Sequence, residues 1–327
     1  MDSPRNILRA VKAAKRILIP LHLRPDGDSI GSALACEHFL RNLGKTVTVV
    51  SADSIPESLL FLPGAKRIKT IDPNDLPLER FDLVFLTDNA ASSRFSKAGV
   101  IKFPPKVILI NVDHHQRNPG FGDLNYVAAN ASATAEVLYD LFRRWRVPIT
   151  PEIANCLLTG IYTDTGGFIY PATTADSLIK SADLIRKGAD RDRIAEQSFR
   201  SWTPKAIQIW SQILANTVVR KNVAYSHLPH THLRKLNCSQ SELAGTRGFA
   251  VNNLILAIRG VKAAILFTEE KPRQIRVTLR SVGNADVGKV AEQFGGGGHR
   301  NSAAFDYQGP IQKLMTKTVK MVREVLD

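Results

Sequence analysis

Short apolar runs alternate with helix-like segments along the first half of the chain. The run from Arg16 to His22 is almost continuously apolar, which is typical of a strand buried on both faces of a parallel sheet. Two later runs end in an acid, at Asp88 and at Asp113. The predicted strands cover residues 16–22, 46–50, 83–88 and 107–113.

Apolar positions with a helical period fill the segments between and after these strands. Ser3-Pro4 is a typical helix start, and Gly44 is a typical helix end. The predicted helices cover residues 4–15, 29–43, 131–146, 151–162 and 174–187. Strands that alternate with helices predict an α/β domain with a parallel sheet, whose ligands bind beyond the carboxyl ends of the strands.

A second, smaller α/β domain is predicted after a connector that is charged and polar in its first half. The predicted division is domain 1–187, linker 188–204 and domain 205–327. The elements predicted in the second domain are strands at 217–228, 261–268 and 275–281 and a helix at 287–294. Four consecutive glycines, residues 295–298, follow that helix.

Composition supports a cytoplasmic protein with two buried cores. The chain has 327 residues, of which 44% are hydrophobic and 23% are charged. Its three cysteines lie far apart and show no zinc spacing, which fits reduced thiols. No apolar run approaches the ~20 residues that span a bilayer, and the N-terminus lacks the pattern of a secretory signal, so no membrane partner is expected.

The net charge of +14 is concentrated in the second half of the chain. Residues 188–327 hold 21 Lys and Arg against 11 Asp and Glu, whereas residues 1–187 hold 23 against 19. A basic domain favours a polyanionic partner, although a charged surface that only keeps the protein soluble would give the same count.

The first candidate chemistry lies in the motif His22-x-x-x-Asp26-x-Asp28, directly after the first predicted strand. Pro25 and Gly27 supply a turn, so three ligand-type side chains can converge. Clustered carboxylates repel one another unless a cation lies between them. The competing interpretation is a helix N-terminus at which Asp28 and Ser29 act as capping acceptors.

Further acids and imidazoles follow the later elements. Asp88 could bridge two metal ions or serve only as a turn residue. In Asp113-His114-His115 one imidazole can bind metal while its neighbour faces the substrate. Asp113 can orient one of the imidazoles. The alternative for this motif is a solvent-facing turn that is rich in histidine. Asp164 precedes a Thr-Gly-Gly segment: the two glycines would let the backbone approach phosphate, and Thr165 could donate a hydrogen bond to it. The alternative is that Asp164 caps a helix.

The glycine run and a strand-end arginine are candidate anion binders in the second domain. Exposed backbone N–H groups at Gly295–Gly298 suit an anion-binding nest, although a flexible hairpin is also consistent with them. Arg280 can clamp phosphate through two hydrogen bonds, or it is an ordinary surface residue. His38, His227, His230 and His232 are assigned to structure or solvent. Trp202 and Trp210 are assigned to helix packing rather than to base stacking.

These motifs, taken in order, resemble the DHH phosphoesterase superfamily. The N-terminal set is His22-x-x-x-Asp26-x-Asp28, Asp88, Asp113-His114-His115 and Asp164 within Thr-Asp-Thr-Gly. The second half resembles the DHH-associated domain through Val277-Thr-Leu-Arg280-Ser281, Asp286-Val287, Ala291, Gly295-Gly-Gly-Gly-His299 and Ala303-Ala304. Length and pairing are most similar to the NrnA-like subfamily. Phe305 stands where many relatives have Gly, and only a packing effect is expected from it.

The resemblance implies an active site in the cleft between the two domains, with two divalent cations, most simply Mn²⁺, or else Mg²⁺ or Co²⁺. It implies a first ion on His22, Asp26 and Asp88, and a second on Asp28, Asp88, His114 and Asp164. Catalytic roles are implied for His115, next to the scissile phosphate, and for Asp113. Substrate-binding roles are implied for Arg280, Ser281, Gly296, Gly297, Gly298, His299 and Arg247.

The resemblance further implies hydrolysis of short RNA oligonucleotides and linear dinucleotides to mononucleotides, with pAp as a second substrate. The alternatives are a cyclic-dinucleotide phosphodiesterase, a RecJ-like single-strand DNA exonuclease, a pyrophosphatase or polyphosphatase, and a non-catalytic nucleotide sensor. The complete set of ligand residues argues against a sensor, because retaining every acid is costly without an ion. The oligomeric state is left open, and a homodimer is one of the arrangements considered.

Overall fold

The first half of the chain folds around a six-stranded parallel sheet. This computed structural model describes residues 2–238 and 240–326, and the chain divides into two units, Met1–Ser201 and Trp202–Asp327. The strands of the first unit are β1 Arg16–Pro20, β2 Thr46–Ser51, β3 Lys69–Thr70, β4 Leu83–Thr87, β5 Ile108–Asp113 and β6 Leu124–Val127. Their order in the sheet is β3-β2-β1-β4-β5-β6, so β1, β4 and β5 are neighbours.

The helices of the first unit all contribute to one buried apolar cluster against this sheet. They are α1 Pro4–Ala13, α2 Gly27–Asn42, α3 Thr134–Arg144, α4 Pro151–Asp164, α5 Ala175–Arg186 and α6 Arg191–Phe199. Side chains alternate along β1, so Ile17 and Ile19 join this cluster while Leu18 joins a second one with Val84 and Leu86. The predicted parallel α/β domain is therefore confirmed.

The second unit contains a six-stranded mixed sheet. Its strands are β7 Val218–Arg220, β8 Val223–Leu228, β9 Ala263–Lys271, β10 Gln274–Ser281, β11 Gly297–His299 and β12 Ser302–Gln308, in the order β11-β12-β10-β9-β8-β7. Its helices are α7 Pro204–Ala215, α8 His230–Leu236, α9 Gln240–Phe249, α10 Val287–Glu292 and α11 Ile311–Glu324, and Ala250–Ile255 forms a π-helical segment after α9. Among the described strands of this sheet, only β8 and β9 pair in parallel. Buried clusters lie on each face, with Phe267 in one and Leu266 in the other.

The division between the units falls inside the segment 188–204. That segment contains helix α6, whose Ile194 is fully buried in the core of the first unit. The chain passes to the second unit at Trp202, just before α7. The first unit is thus longer than the predicted domain 1–187 by one helix that packs on it.

Candidate metal centre

The six predicted metal ligands all lie at the carboxyl end of the parallel sheet or on the helices beside it. His22 follows β1, Asp88 follows β4, and Asp113, just before His114, is the last residue of β5. Asp26 is the N-cap residue of α2, and Asp164 is the last residue of α4. Because β1, β4 and β5 are adjacent and parallel, their ends deliver these side chains to one place.

His22, Asp26 and Asp88 form the first group that could hold a metal ion, with ligand atoms within 4.8 Å of one another. The Nε2 atom of His22 lies 3.2 Å from Oδ2 of Asp88 and 3.7 Å from Oδ1 of Asp26. Its Nδ1 lies 2.8 Å from the carbonyl oxygen of Leu23. A carbonyl only accepts, so Nδ1 carries a proton, and Nε2 is the nitrogen that faces the carboxylates.

Asp28, His114 and Asp164 form the second group. The Nε2 atom of His114 lies 3.4 Å from Oδ2 of Asp164, 3.6 Å from Oδ1 of Asp88 and 3.9 Å from Oδ2 of Asp28. His114 and Asp28 are buried, while the Asp164 side chain is 27% exposed. The second group is therefore reachable from solvent on the Asp164 side.

Asp88 connects the two groups through its two carboxylate oxygens. Its Oδ2 faces His22, whereas its Oδ1 lies 3.6 Å from His114, 3.5 Å from His115 and 3.2 Å from the Thr134 hydroxyl, which donates to it. A carboxylate that presents a different oxygen to each of two donor groups is suited to be a ligand shared by two ions.

The donor set fits divalent cations. Ligand bonds of about 2.1 Å would place neighbouring donor atoms about 3.0–3.4 Å apart around one ion, close to the observed separations. Burial raises the pKa of Asp28 well above its usual value, and the negative charge of Asp88 adds to this. Carboxylate oxygens with a minority of imidazole nitrogens are the ligands that Mn²⁺ and Mg²⁺ accept.

The field in the first group is strongly negative. Burial alone would lower the pKa of His22, but the charge of Asp26 and the hydrogen bonds to Asp26 and Asp88 outweigh it and raise that pKa to about 10. A site that attracts a proton so strongly attracts a metal cation for the same reason.

Asp28 also holds the start of a second helix. Its two oxygens accept hydrogen bonds from the backbone N–H groups of Thr134, at 2.6 Å, and Ala135, at 2.9 Å, which open α3. The N-terminus of its own helix α2 is capped by Asp26, which accepts from the N–H of Ser29 at 3.0 Å. The interpretation of Asp28 as a cap of α2 is therefore wrong, because its carboxylate points across to α3.

Asp113 orients His115. Its Oδ1 accepts from Nδ1 of His115 at 2.8 Å and from the backbone N–H of His114 at 2.9 Å, and its Oδ2 accepts from the Asn118 amide at 2.6 Å. Burial alone would raise the pKa of Asp113, but the hydrogen bonds from His115 and Asn118 and the charge of His115 lower it to about 2. Asp113 thus stays ionised and accepts the hydrogen bond from Nδ1 of His115, which fixes the tautomer of that ring. Nε2 is then the nitrogen of His115 that can react.

The Thr-Gly-Gly segment after Asp164 has a structural role in part. Thr165 is fully buried and its hydroxyl donates to the Ile161 carbonyl at 2.6 Å, so the expectation that it donates to phosphate is wrong. Gly166 and Gly167 have positive φ angles of 60° and 66°, and a Cβ on Gly166 would lie 2.3 Å from the ring of Tyr170. Only glycine fits at this position.

In the second unit, Arg280 and His299 lie on the same row of the sheet. Both are paired with Ser302 of β12, from β10 on one side and from β11 on the other. Ser281, next to Arg280, is buried; its hydroxyl donates to the Ala285 carbonyl at 2.8 Å and accepts from the Asn301 amide at 3.0 Å. The Ser281 hydroxyl is therefore engaged in hydrogen bonds within the second unit. Arg280 and His299 lie two strands apart in its sheet.

The second half of the glycine run forms a strand of a β-hairpin rather than a free loop. Gly297, Gly298 and His299 pair with β12, and a Cβ on Gly298 would lie 2.3 Å from the Ser302 carbonyl oxygen. A Cβ on Gly296 would lie 2.4 Å from both the Ala304 carbonyl oxygen and Phe305. The close backbone approach therefore requires glycine at these two positions.

Phe305 fills the space beneath this hairpin. It is 1% exposed and stacks on Phe294 with ring centroids 4.3 Å apart and an interplanar angle of 4°. The expected packing effect at Phe305 is confirmed.

Arg247 is not brought together with Arg280 and His299. It is buried in α9 and forms an ion pair with Glu270, near the end of β9. Arg280 pairs with Ala264, near the start of the same strand, and six residues of strand correspond to about 20 Å. Its partner Glu270 ties Arg247 to the opposite end of the sheet from Arg280.

Arg94 and Asn118 were not predicted from the sequence as residues of the site. The Arg94 carbonyl accepts from the N–H of Leu23 at 2.6 Å, and its positive charge acts on His22, Asp26 and His115. Arg94 lies six residues after Asp88 in a loop with no local pattern. Asn118 lies three residues after His115, so its closeness to the Asp-His-His motif was the available signal.

A group of carboxylates and imidazoles at the carboxyl end of a parallel sheet is typical of a metal-dependent hydrolase. The model of the DHH family, N-terminal domain, matches residues 16–161, and that of the DHHA1 domain matches residues 220–326. The chain belongs to the DHH family of phosphoesterases.

Similar proteins cover nearly the whole chain. The bifunctional oligoribonuclease and PAP phosphatase NrnA of Thermus thermophilus is 32% identical over 98% of this chain and 92% of its own length. The protein of the same name from Bacillus subtilis is 27% identical over 90% of each.

Solved structures share the fold. An exopolyphosphatase-related protein from Bacteroides fragilis superposes with a TM-score of 0.87 at 26% identity, over 99% of this chain and 97% of that one. RecJ from Thermus thermophilus, solved in complex with Mn²⁺, has a TM-score of 0.53 at 16% identity over 98% of this chain and 53% of its own, which shows a common fold only. Within the described ranges, none of the helices combines the length and apolarity needed to cross a bilayer.

Proposed function

We propose that this phosphoesterase hydrolyses short RNA oligonucleotides and linear dinucleotides to mononucleotides, and removes the 3′-phosphate from pAp. The observation that carries the reaction type is Asp88, whose two oxygens face two separate donor groups. The substrate class is supported by the names of the full-length relatives and by the excess of basic residues in the second half of the chain.

In this proposal the two groups of ligands hold two divalent cations, most simply Mn²⁺, with Mg²⁺ or Co²⁺ as substitutes. When bound, such ions activate water for attack on phosphorus and neutralise charge on the phosphoryl oxygens. The ligands are His22, Asp26, Asp28, Asp88, His114 and Asp164.

The protein's own groups position and stabilise the reacting phosphate. His115, held by the ionised Asp113, presents Nε2 as a hydrogen-bond donor or proton carrier. The positive charge of Arg94 acts on His22 and His115, and in this proposal it would attract the phosphate to the site. Electrostatic stabilisation of this kind is usually the largest contribution to catalysis.

Substrate length is proposed to depend on the second unit. Arg280 and His299, aligned on one row of its sheet, would bind the terminal phosphate or base of the substrate. The glycine strand that carries His299 allows close approach of the substrate backbone. Arg247, at the other end of the sheet, would have at most an indirect role.

A substrate panel tests the proposed function. The purified protein with Mn²⁺ is given pApA, an RNA 5-mer, an RNA 24-mer, pAp, cyclic di-AMP, single-stranded DNA and pyrophosphate, and the products are separated by ion-exchange chromatography. The expected result is rapid release of AMP from pApA and pAp, with the 24-mer, the cyclic dinucleotide, the DNA and pyrophosphate cleaved much more slowly. Preferential cleavage of long DNA, cyclic dinucleotide or pyrophosphate would replace this proposal, and no turnover at all would refute it.

The role of the second unit is tested with Arg280→Ala and His299→Ala. Loss of one charge-assisted hydrogen bond corresponds to about 1.5–3 kcal/mol, so KM for pApA should rise about 10- to 100-fold with unchanged metal content. Lys271→Ala removes an exposed positive charge from the far end of the same sheet and serves as the control. Equal effects of all three variants would mean that net charge, rather than a defined subsite, binds the substrate.

A further inference from the structure

Two side-chain amides hold the chain just after Asp88. The carbonyl oxygen of Asn89 accepts hydrogen bonds from Nδ2 of Asn118, at 3.0 Å, and from Nδ2 of Asn111, at 3.2 Å. Asn111 lies on β5, and Asn118 lies in the loop that follows this strand. The end of β4 is therefore tied to β5 and its loop through side chains, beside the site that the two strands build.

Asn118 uses both ends of its amide group. Its Oδ1 accepts from the backbone N–H of Gly120 at 2.8 Å, which identifies the other end as Nδ2. Nδ2 donates to the Asn89 carbonyl and also to Oδ2 of Asp113, at 2.6 Å. Both of these partners only accept, so the position requires a group that donates two hydrogen bonds.

The bond from Asn118 determines which carboxylate His115 faces. With Oδ2 of Asp113 held by Asn118, Oδ1 of Asp113 lies 2.8 Å from Nδ1 of His115. Oδ1 of Asp88 lies 3.5 Å from the same Nδ1, so it becomes the competing acceptor if Asp113 turns away. A hydrogen bond from His115 to Asp88 would compete with metal for the carboxylate that faces both donor groups.

Asn111 is a costly residue for the place that it occupies. It is fully buried on β5, paired with Leu86, which belongs to an apolar cluster. Its Oδ1 has no hydrogen-bond partner among residues 2–238 and 240–326. A buried amide oxygen without a partner lowers stability and calls for an explanation, and the bond from Nδ2 to the Asn89 carbonyl supplies one.

We propose that Asn118 and Asn111 are positioning residues of the reaction. Their amides hold the chain after Asp88 in place relative to the Asp113–His115 pair, so that His115 donates to Asp113 and leaves Asp88 to the ions. Both residues act through their hydrogen-bond partners and touch neither metal nor phosphate. This inference rests on the proposed function, in which His115 presents Nε2 to the phosphate.

Asn118→Asp and Asn118→Ala test the double donor. Ionised Asp keeps the shape of the side chain and an acceptor for Gly120, whereas Ala removes the donor without adding charge. At saturating Mn²⁺, kcat for pApA should fall about 10- to 100-fold in both variants, as is typical of residues that support a metal ligand, while KM changes little. Wild-type kcat in either variant would overturn the proposal.

Asn125→Asp is the matched control. Oδ1 of Asn125 accepts from the N–H of Gly122 at 2.9 Å, as Asn118 accepts from Gly120, and its Nδ2 donates to the Gly122 carbonyl at 2.7 Å. The substitution is the same, but the amide is bonded to Gly122 rather than to Asp113. Asn125→Asp should keep wild-type kcat, and an equal loss in this variant would show that added charge in the segment, rather than the lost donor, lowers activity.

Asn111→Val separates positioning from stability. Val is apolar and suits a buried strand, so the melting temperature should not fall when the unpaired oxygen is removed. Loss of the hydrogen bond to the Asn89 carbonyl should nevertheless lower kcat about 2- to 10-fold, as expected for one neutral hydrogen bond. An unchanged kcat, or a fall in stability together with kcat, would overturn the role of Asn111.

A spectroscopic readout keeps the test apart from the proposed function. In ¹⁵N-labelled protein, the imidazole N–H resonance of His115 is identified by its absence from His115→Gln. It should shift in Asn118→Asp and Asn118→Ala but not in Asn125→Asp. Such a shift supports the positioning of His115 even if the substrate panel fails, and an unchanged resonance would overturn it even if the panel succeeds.

Discussion

At the residue scale, the backbone conformation of Asp88 places its carboxylate within the site. Its φ angle is +59°, in the left-handed region, and its N–H donates to the Val112 carbonyl at 3.1 Å. This conformation turns the chain sharply at the end of β4, so that the carboxylate lies between His22 and His114 rather than beyond them. Aspartate and asparagine tolerate the left-handed region better than other non-glycine residues.

Replacing Asp88 with Asn should abolish hydrolysis while keeping the fold, since Asn tolerates the same backbone conformation but lacks the charge. The loss of Mn²⁺-dependent activity should exceed the ~10- to 100-fold typical of residues that only support a metal ligand. Activity assays, bound metal measured by mass spectrometry and the melting temperature of the metal-free protein check this. Asp75→Asn, at an exposed acid on the same unit, is the control. Retained activity in Asp88→Asn would show that Asp88 is not shared by two ions.

At the element scale, the contact of α2 with α4 sets the positions of Asp28 and Asp164. The two helices pack closely through glycine: a Cβ on Gly31 would lie 2.3 Å from the Cys156 carbonyl oxygen, and one on Gly160 would lie 2.6 Å from Oδ1 of Asp28. These glycines have ordinary helical conformations, so close approach rather than backbone freedom is the reason for them.

Gly31→Ala should therefore push α2 away from α4. Overpacking of this kind costs about 1–3 kcal/mol, and activity should fall as well because Asp28 and Asp164 separate. Gly248→Ala, in α9, is a matched helical control, since a Cβ there meets nothing within 4 Å. Thermal melts and Mn²⁺-dependent turnover measure both effects. A Gly31→Ala variant as stable and active as wild type would show that the helices move apart without cost.

Glu37 on α2 should make the first unit sensitive to acid. Its buried carboxylate accepts from Arg41 at 2.8 Å and from Arg67 at 2.8 and 3.0 Å. Burial alone would raise the pKa of Glu37, but the hydrogen bonds from Arg67 and Arg41 outweigh it and hold that pKa below its usual 4.5. The lowered pKa means that these bonds stabilise the fold above about pH 4.5, and that this stability is lost as pH falls through the folded-state pKa.

Glu37→Gln should consequently lower the free energy of unfolding at pH 7 by about 1–2 kcal/mol. This value is at the low end of the range for hydrogen bonds to charged groups, because both arginines are half-exposed and solvent screens their charge. The difference from wild type should shrink progressively as pH falls below 4.5, where the carboxyl is protonated first in the unfolded chain and, below the lowered folded-state pKa, in the folded protein too. Urea unfolding at pH 7 and at pH 4 measures it. A difference that does not change with pH would contradict the ionic origin.

At the scale of the whole molecule, the two units have separate cores, and the candidate metal centre lies in the first. Removal of divalent metal with EDTA should lower the melting temperature of the first unit, because its buried carboxylates then repel one another. A ligand present at about 100 times its dissociation constant contributes about 2.7 kcal/mol to the free energy of unfolding. Differential scanning calorimetry with and without Mn²⁺ measures the change. Asp88→Asn should lose most of the shift, and a wild-type transition unmoved by Mn²⁺ would argue against metal at this site.

The organisation of the second unit was less predictable than that of the first. Local patterns predicted strands β8, β9 and β10 and helix α10. They missed strands β11 and β12 and helices α7, α8, α9 and α11. Ser302–Gln308 has a weak alternation that becomes a strand through its pairing with β10. Helix α6 was likewise taken as linker because its sequence is polar, yet Ile194 anchors it in the core of the first unit.

The sequence by itself determined the class of the protein and the residue types of its site. Apolar runs that end in His or Asp specify buried parallel strands with ligands at their carboxyl ends, and this information is local. Only the tertiary structure decided that Asp28 caps α3, that Asp88 turns one oxygen to each donor group, and that Arg247 lies away from Arg280. These facts depend on strand order and helix contacts between residues far apart in the chain, which a local pattern does not encode.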